Sequence, residues 1–225
     1  MAENKNVQDV DVVDRAKDFW SRYSKVISII FVVVILGVGG YFIYKNYVQG
    51  PKEDKATEAM FKAEEYYRLD SFRLALNGDG QNQGFLKIID KYSGTDAGNL
   101  ARFYTGSIYV KLDDNQNAIK HLKKFSTDSK PVQARAYKLL GDAYADMNNH
   151  KEALSYYKKS ARHFEEDQTN SANSLFLAAY LADRVLKDQK EAISLYKELK
   201  EKFPRTREGF DADNYLAQLG VYNVN

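Results

Sequence analysis

Nineteen consecutive positions from Val26 to Tyr44 (VISIIFVVVILGVGGYFIY) carry no charge, and Lys25 and Lys45 close the run on either side. Coiled as a helix at 1.5 Å per residue, the segment reaches about 28 Å, near the roughly 30 Å hydrocarbon core of a bilayer. The pattern predicts one transmembrane helix, because a core helix of a soluble protein rarely needs so long an uninterrupted apolar run. Phe19, Trp20 and Tyr23 precede it and Tyr41, Tyr44 and Tyr47 close it, where amphipathic rings suit the headgroup layers. Downstream the pattern changes. Apolar residues recur with a 3.6-residue period, and only Pro51, Pro131 and Pro204 interrupt the 225 residues. The expected organisation is all-α: a tail over 1–25, the span over 26–44, a linker over 45–55 around Gly50 and Pro51, and a helical domain over 56–225.

Within that domain the pattern repeats. Leu100 to Lys130 laid over Arg135 to Glu165 superposes Gly106 on Gly141, Tyr109 on Tyr144, Ala118 on Ala153 and Ile119 on Leu154, each at a shift of 35 residues. A period near 34, with small residues where two helices cross and a tyrosine one turn later, is the signature of antiparallel helix pairs stacked in a solenoid. Glycine and alanine let the backbones approach, and the aromatic fills the space beside them.

On these residues the chain resembles tetratricopeptide repeats (TPR). Tyr137, Leu140, Gly141, Tyr144, Ala153, Tyr157 and Ser160 fit that family's register. The unit near Asn99 keeps Gly106, Tyr109, Ala118 and Leu122 but has Arg102 and Thr105 where the family usually has large apolar residues. The last unit keeps Ala192, Tyr196 and Pro204, while Tyr180 stands where a small residue is expected, which predicts a looser crossing there. Ahead of these, two stripes (Ala56, Met60, Ala63, Tyr67; Phe85, Ile88, Ile89, Tyr92) read as a divergent first repeat with an extended connection. Ala212, Tyr215, Leu216 and Leu219 read as a terminal capping helix, which a stack needs to cover its last apolar face. The fold expectation is an N-terminal transmembrane helix followed by a TPR-like α-solenoid of about four helix pairs and a C-terminal cap.

Charge and candidate chemistry narrow the function. The tail's five acids (Glu3, Asp9, Asp11, Asp14, Asp18) match its five bases, so the whole net charge of +2 belongs to the rest, with Lys interleaved among Asp and Glu. That is no footprint for nucleic acid. Cysteine is absent, which removes disulfides, thiolate metal sites and a cysteine nucleophile. His121, His150 and His163 form no zinc-binding pair and read as surface residues. Asn77 to Gly84 (NGDGQNQG) lacks the glycine and the acid of a calcium loop and the Gly-Lys-Ser/Thr ending of a phosphate loop. It reads as a polar turn. No catalytic, metal or cofactor residues emerge, and the expectation is a protein-binding module rather than an enzyme.

A solenoid offers the first helix of each pair along a concave face. By resemblance, the partner-binding groove would be Leu100, Phe103, Ser107 and Val110 from one repeat and Arg135, Lys138 and Asp142 from the next. Members that clamp the acidic C-terminus of a cytosolic chaperone carry Lys and Asn where Phe103 and Ser107 stand. The resemblance therefore implies extended apolar segments or a folded partner instead.

Orientation follows from Arg15, Lys17, Arg22 and Lys25, which hold the N-terminus in the cytoplasm and send the long C-terminal part across. The rival is a cleaved signal peptide, with Val38 and Gly40 before a cut at Tyr41. Residues Val7 to Lys25 read either as an amphipathic surface helix, with Val10, Val13, Lys17, Trp20 and Ser24 along one line, or as a loosely ordered tail. The layout of tail, span and small solenoid resembles the ancillary subunit of the bacterial Sec translocon and related envelope proteins. That resemblance implies a periplasmic domain meeting the translocon, envelope chaperones or nascent exported chains. Two alternatives stay open: a scaffold subunit of another envelope assembly or motility machine, and an anchored regulator whose repeats face the cytoplasm.

Overall fold

A computed structural model describes residues 6–222, with side chains from Val12 onward. Glu3, Val7, Asp9, Val10 and Asp11, used above for tail charge and amphipathic pattern, therefore lie outside the described side chains. Two compact units meet between Lys52 and Glu53.

In the first unit, α1 runs from Asn6 to Tyr44 without a break at Lys25. The tail's final turns and the apolar run are one helix, and every side chain of the run except Ile27 is exposed along its length. Among the described residues this is the one helix long and apolar enough to cross a membrane. A π-helical turn follows at Lys45–Gln49, with the Gly50 N–H donating to the Lys45 carbonyl, and α2 opens at Gly50. The stretch expected to be a linker is thus helical. Pro51 has no N–H to give and crowds the carbonyl four residues back, and the wider turn accommodates both.

The second unit stacks α2 (Gly50–Arg68) from Glu53 onward, α3 (Phe72–Asn77), α4 (Phe85–Lys91), α5 (Asp96–Lys111), α6 (Asn115–Leu122), α7 (Lys130–Asp146), α8 (His150–His163), α9 (Gln168–Tyr180), α10 (Gln189–Lys202) and α11 (Arg207–Gln218). One turn recurs four times. Asp70, Asp113, Asn148 and Lys187 each adopt a left-handed backbone, and each precedes the residue that caps the next helix: Ser71, Asp114, Asn149 and Asp188. The N–H groups of Ser71, Asp114 and Asn149 reach back five residues to the carbonyls of Tyr66, Tyr109 and Tyr144 at 2.8–2.9 Å, which closes a helix end while satisfying an orphan carbonyl. Counted from these acceptors, the residue one turn earlier is Ala63, Gly106 or Gly141, and each is buried at the crossing. A Cβ on Gly106 would lie 2.4 Å from Leu122 Cγ, and one on Gly141 2.6 Å from the Tyr157 ring. On the facing helices Ala75, Ala118, Ala153 and Ala192 have no exposed surface.

The last pair departs by one residue. Asp188 reaches back six residues to Ala182 at 2.9 Å, because Leu181–Val185 forms a π-helical turn that inserts an extra residue. Counted from Ala182, the crossing residue is Ala179, fully buried, whereas Tyr180 is 44% exposed. The expectation that Tyr180 loosens this crossing is corrected. A small residue is present, one position earlier than a regular helix would place it.

The first pair is a true repeat interrupted by an insertion. In the later pairs the buried alanine of the second helix is followed four residues on by Leu122, Tyr157 or Tyr196, all buried. In the first pair Ala75 is followed by Phe85, and Gly78 to Gly84 loops out between α3 and α4. Phe85 stacks on Tyr104 at 5.1 Å and 5°, as Tyr196 stacks on Tyr215 at 5.0 Å and 10°. The chain enters α5 and α11 by the same cap: Thr95 and Thr206 accept from the N–H groups of Gly98 and Gly209, and donate to the carbonyls of Tyr92 and Phe203. A Cβ on either glycine would come within 2.0 Å of that carbonyl. Glu53 adds a second tie to α5, accepting from Asp96 N and Ala97 N at 2.7 and 2.8 Å. At the far end α11 buries Ala212 and Leu216 and acts as the cap.

Candidate functional site

The first helices α2, α5, α7 and α9, with the last turn of α8, line one groove of about 840 Å³. Its floor near α5 is aromatic and aliphatic, because each first helix turns one stripe inward to its partner and leaves the adjoining stripe on the concave side. Leu100, Phe103, Tyr104, Val132 and Leu139 form this floor. Tyr104 sits at its centre, 5.1 Å from Phe85, 5.0 Å from Tyr67 and 5.8 Å from Phe103 by ring centroids. Burial, with Glu64 next, pushes the Tyr104 phenol above its ordinary value, so it stays a neutral donor.

Of the residues expected in the groove, Leu100, Phe103, Arg135, Lys138 and Asp142 line it and Ser107 and Val110 do not. Ser107 is 2% exposed, its hydroxyl 3.0 Å from Tyr67 Oη. Val110 is half-buried against the core. Phe103 itself is only 7% exposed and packs on Phe125 at 5.3 Å, so truncating it would open the core as well as the groove. Residues outside that expectation also contribute: Glu64, Tyr67 and Arg68 from the divergent first repeat, and Asn170, Ser171 and Ser174 from α9. The stripes of α2 and α9 carry these positions, but the insertion and the π-helical turn hide their register.

Charges in the groove are unevenly engaged. Asp142 accepts from Lys138 Nζ at 3.0 Å and from Tyr157 Oη at 2.9 Å, and burial followed by Asp142 raises the Tyr157 phenol far above its usual range. Asp167 caps α9 by accepting from Asn170 N at 3.2 Å and Nδ2 at 2.6 Å. Glu64 is raised by burial and lowered by its neighbour Arg68. The hydroxyls of Ser160 and Ser174 lie 3.0 Å apart. Among the described residues of the groove no nucleophile lies beside a base, and the arrangement suits recognition.

Elsewhere, a second depression of about 440 Å³ on α8 is lined by Lys151, Leu154, Ser155, Lys158, Lys159 and Arg162, and Glu191 and Glu198 of α10 pair with Lys158 and Arg162. Among the described residues no cluster of His, Asp and Glu could hold a metal ion. The loop 77–84 is a self-contained turn. Asp79 accepts from Asn82 N and Nδ2, Tyr66 Oη and Gln81 N, bonds that hold its carboxyl well below the usual range, and Gly78 with Gln83 closes the loop by a bridge. All three histidines are partly buried, and His121 stacks on Tyr109 at 5.8 Å. Burial, then Lys120 and Arg102, pull its imidazole down to about 4.

Comparison with known proteins agrees with the repeat geometry. A family model described as a tetratricopeptide repeat-like domain matches residues 17–135, just over half of the chain. A second, described as a tetratricopeptide repeat, matches residues 173–206, the pair formed by α9 and α10. No curated protein matches the chain. With four copies of one helix–turn–helix unit in the structure and these matches at both ends of the stack, the chain belongs to the tetratricopeptide repeat-like family.

Proposed function

We propose that this protein is a single-pass component of the inner (cytoplasmic) membrane whose repeat domain docks protein partners from the exported, periplasmic face. The span is residues 26–44 within α1, the N-terminus is cytoplasmic, and the domain beginning near residue 56 acts as an accessory to the Sec translocon and envelope chaperones. The observation that carries this reading is the presence, in one chain, of an exposed apolar helix and a repeat domain with a groove along its first helices. Arg15, Lys17, Arg22 and Lys25 support the orientation, since Lys and Arg in short flanks are retained on the cytoplasmic side. The resemblance of this layout to the ancillary translocon subunit supports the partner.

Crosslinking in native membranes followed by purification of the full chain tests the partner. Translocon subunits should be recovered. Their consistent absence, with recovery of another envelope complex, favours the scaffold reading. Protease added to spheroplasts should digest the repeat domain and spare the tail. Protection of the repeats would contradict export.

A further inference from the structure

We propose that the groove takes an extended peptide segment carrying an Asp or Glu side chain between apolar residues, with that carboxylate held by Arg135 and Arg68 beside Tyr104. The inference rests on reading the groove as the binding face and adds the chemistry of what it binds. Arg135 on α7 and Arg68 on α2 both line the groove and both are exposed. Neither has a carboxylate within ion-pair distance among the described residues, whereas Lys138 is tied to Asp142 at 3.0 Å. Of the groove's acids, Asp142 and Asp167 spend their oxygens on groups of the domain itself. Only Glu64 tempers Arg68. The groove's three cations (Arg68, Arg135, Lys138) formally balance its three acids (Glu64, Asp142, Asp167), but among the described residues the charge left unengaged is that of Arg135, above a floor of Leu100, Tyr104 and Val132 that offers apolar contact.

A guanidinium bordering an apolar, partly desolvated floor recognises a carboxylate through short charge-assisted bonds, and does so more strongly than in open water. Apolar residues on either side of the acid would cover the floor and exclude water from the pair. A segment rich in acids alone would lack the contact area, and a basic one would meet Arg135 with like charge.

The test uses the full chain in dodecyl maltoside micelles and an array of C-terminally amidated twelve-residue peptides, so that side chains supply the only carboxylates. Peptides of Leu, Phe and Val spaced by Ser carry two central Asp residues, or Asn or Lys in their place. The Asp set should bind at least about tenfold tighter than the Asn set, with the Lys set weakest. Arg135→Glu should reverse the order in favour of Lys, Arg68→Glu should weaken it, and Glu64→Gln should tighten Asp binding. Equal binding of all three sets, or an Asp preference that survives Arg135→Glu, overturns the carboxylate assignment and leaves the groove a docking face. Binding of none of the sets removes the groove itself.

Discussion

At two helix crossings a single methyl group decides the packing. Gly106 and Gly141 face Leu122 and the Tyr157 ring at distances no Cβ tolerates, whereas Ala63 and Ala179 fill the same place in the outer pairs. Gly141→Ala should cost about 1–2 kcal/mol net, overpacking outweighing the gain in helix propensity; urea denaturation of the full chain in micelles measures it. Ala179→Leu should cost about 1–3 kcal/mol and Tyr180→Leu less than 1, because only the first is buried. Equal losses would refute the shifted register. His121 carries a pH signature. Its folded value, about 4 against an ordinary 6.5, means the unfolded state binds more protons between those values. Stability from this group is complete above about 6.5 and is lost as pH falls towards 4. His121→Leu should flatten the denaturation midpoint across that window.

Among the elements, the four turns share a left-handed residue that three pairs fill with Asp or Asn and the last fills with Lys187. Asp and Asn tolerate that backbone through local hydrogen bonds, and lysine does not. Lys187→Gly should therefore stabilise the domain by about 0.5–1 kcal/mol, read as a rise in melting temperature. The α2-to-α5 tie is the opposite case. Removing the Glu53 carboxylate by Glu53→Ala leaves the N–H groups of Asp96 and Ala97 without their partner and should cost about 1 kcal/mol. Periodicity was enough to find every stripe, since a 3.6-residue repeat shows in one dimension. It showed the first pair as divergent with an extended connection, but not where the register resumes after the insertion, and it could not find the π-helical turn in the last. Both change register by local geometry that leaves composition untouched.

For the molecule as a whole, α11 closes the stack. Tyr215 lies against Tyr196 and Phe176 at 5.0 and 5.3 Å, and Leu216 is fully buried. A chain ending after Arg205 would bare the apolar side of α9 and α10, and should bind a dye such as ANS and aggregate on extraction, because a solenoid needs a capped end. If the apolar run spans a bilayer, alkaline carbonate should leave the full chain in the membrane pellet with its N-terminus intact. A soluble product beginning near Tyr41 would show cleavage instead.

Reading along the chain was sufficient for the class of fold and for the apolar helix, since hydrophobic periodicity and run length are properties of neighbouring residues. The 35-residue shift was visible because repeated packing demands repeated small residues. Assembly of the groove was different. Arg68 comes from the divergent first repeat and Arg135 from the third helix pair, and only stacking makes them line one groove with Tyr104. The same stacking took Ser107 out of the groove and into contact with Tyr67, because a helix position faces the concave side or its neighbour according to how the pairs are rotated against one another. That rotation is set by the Gly and Ala crossings and by ring stacking between helices, which are contacts across the fold and leave no mark in local spacing.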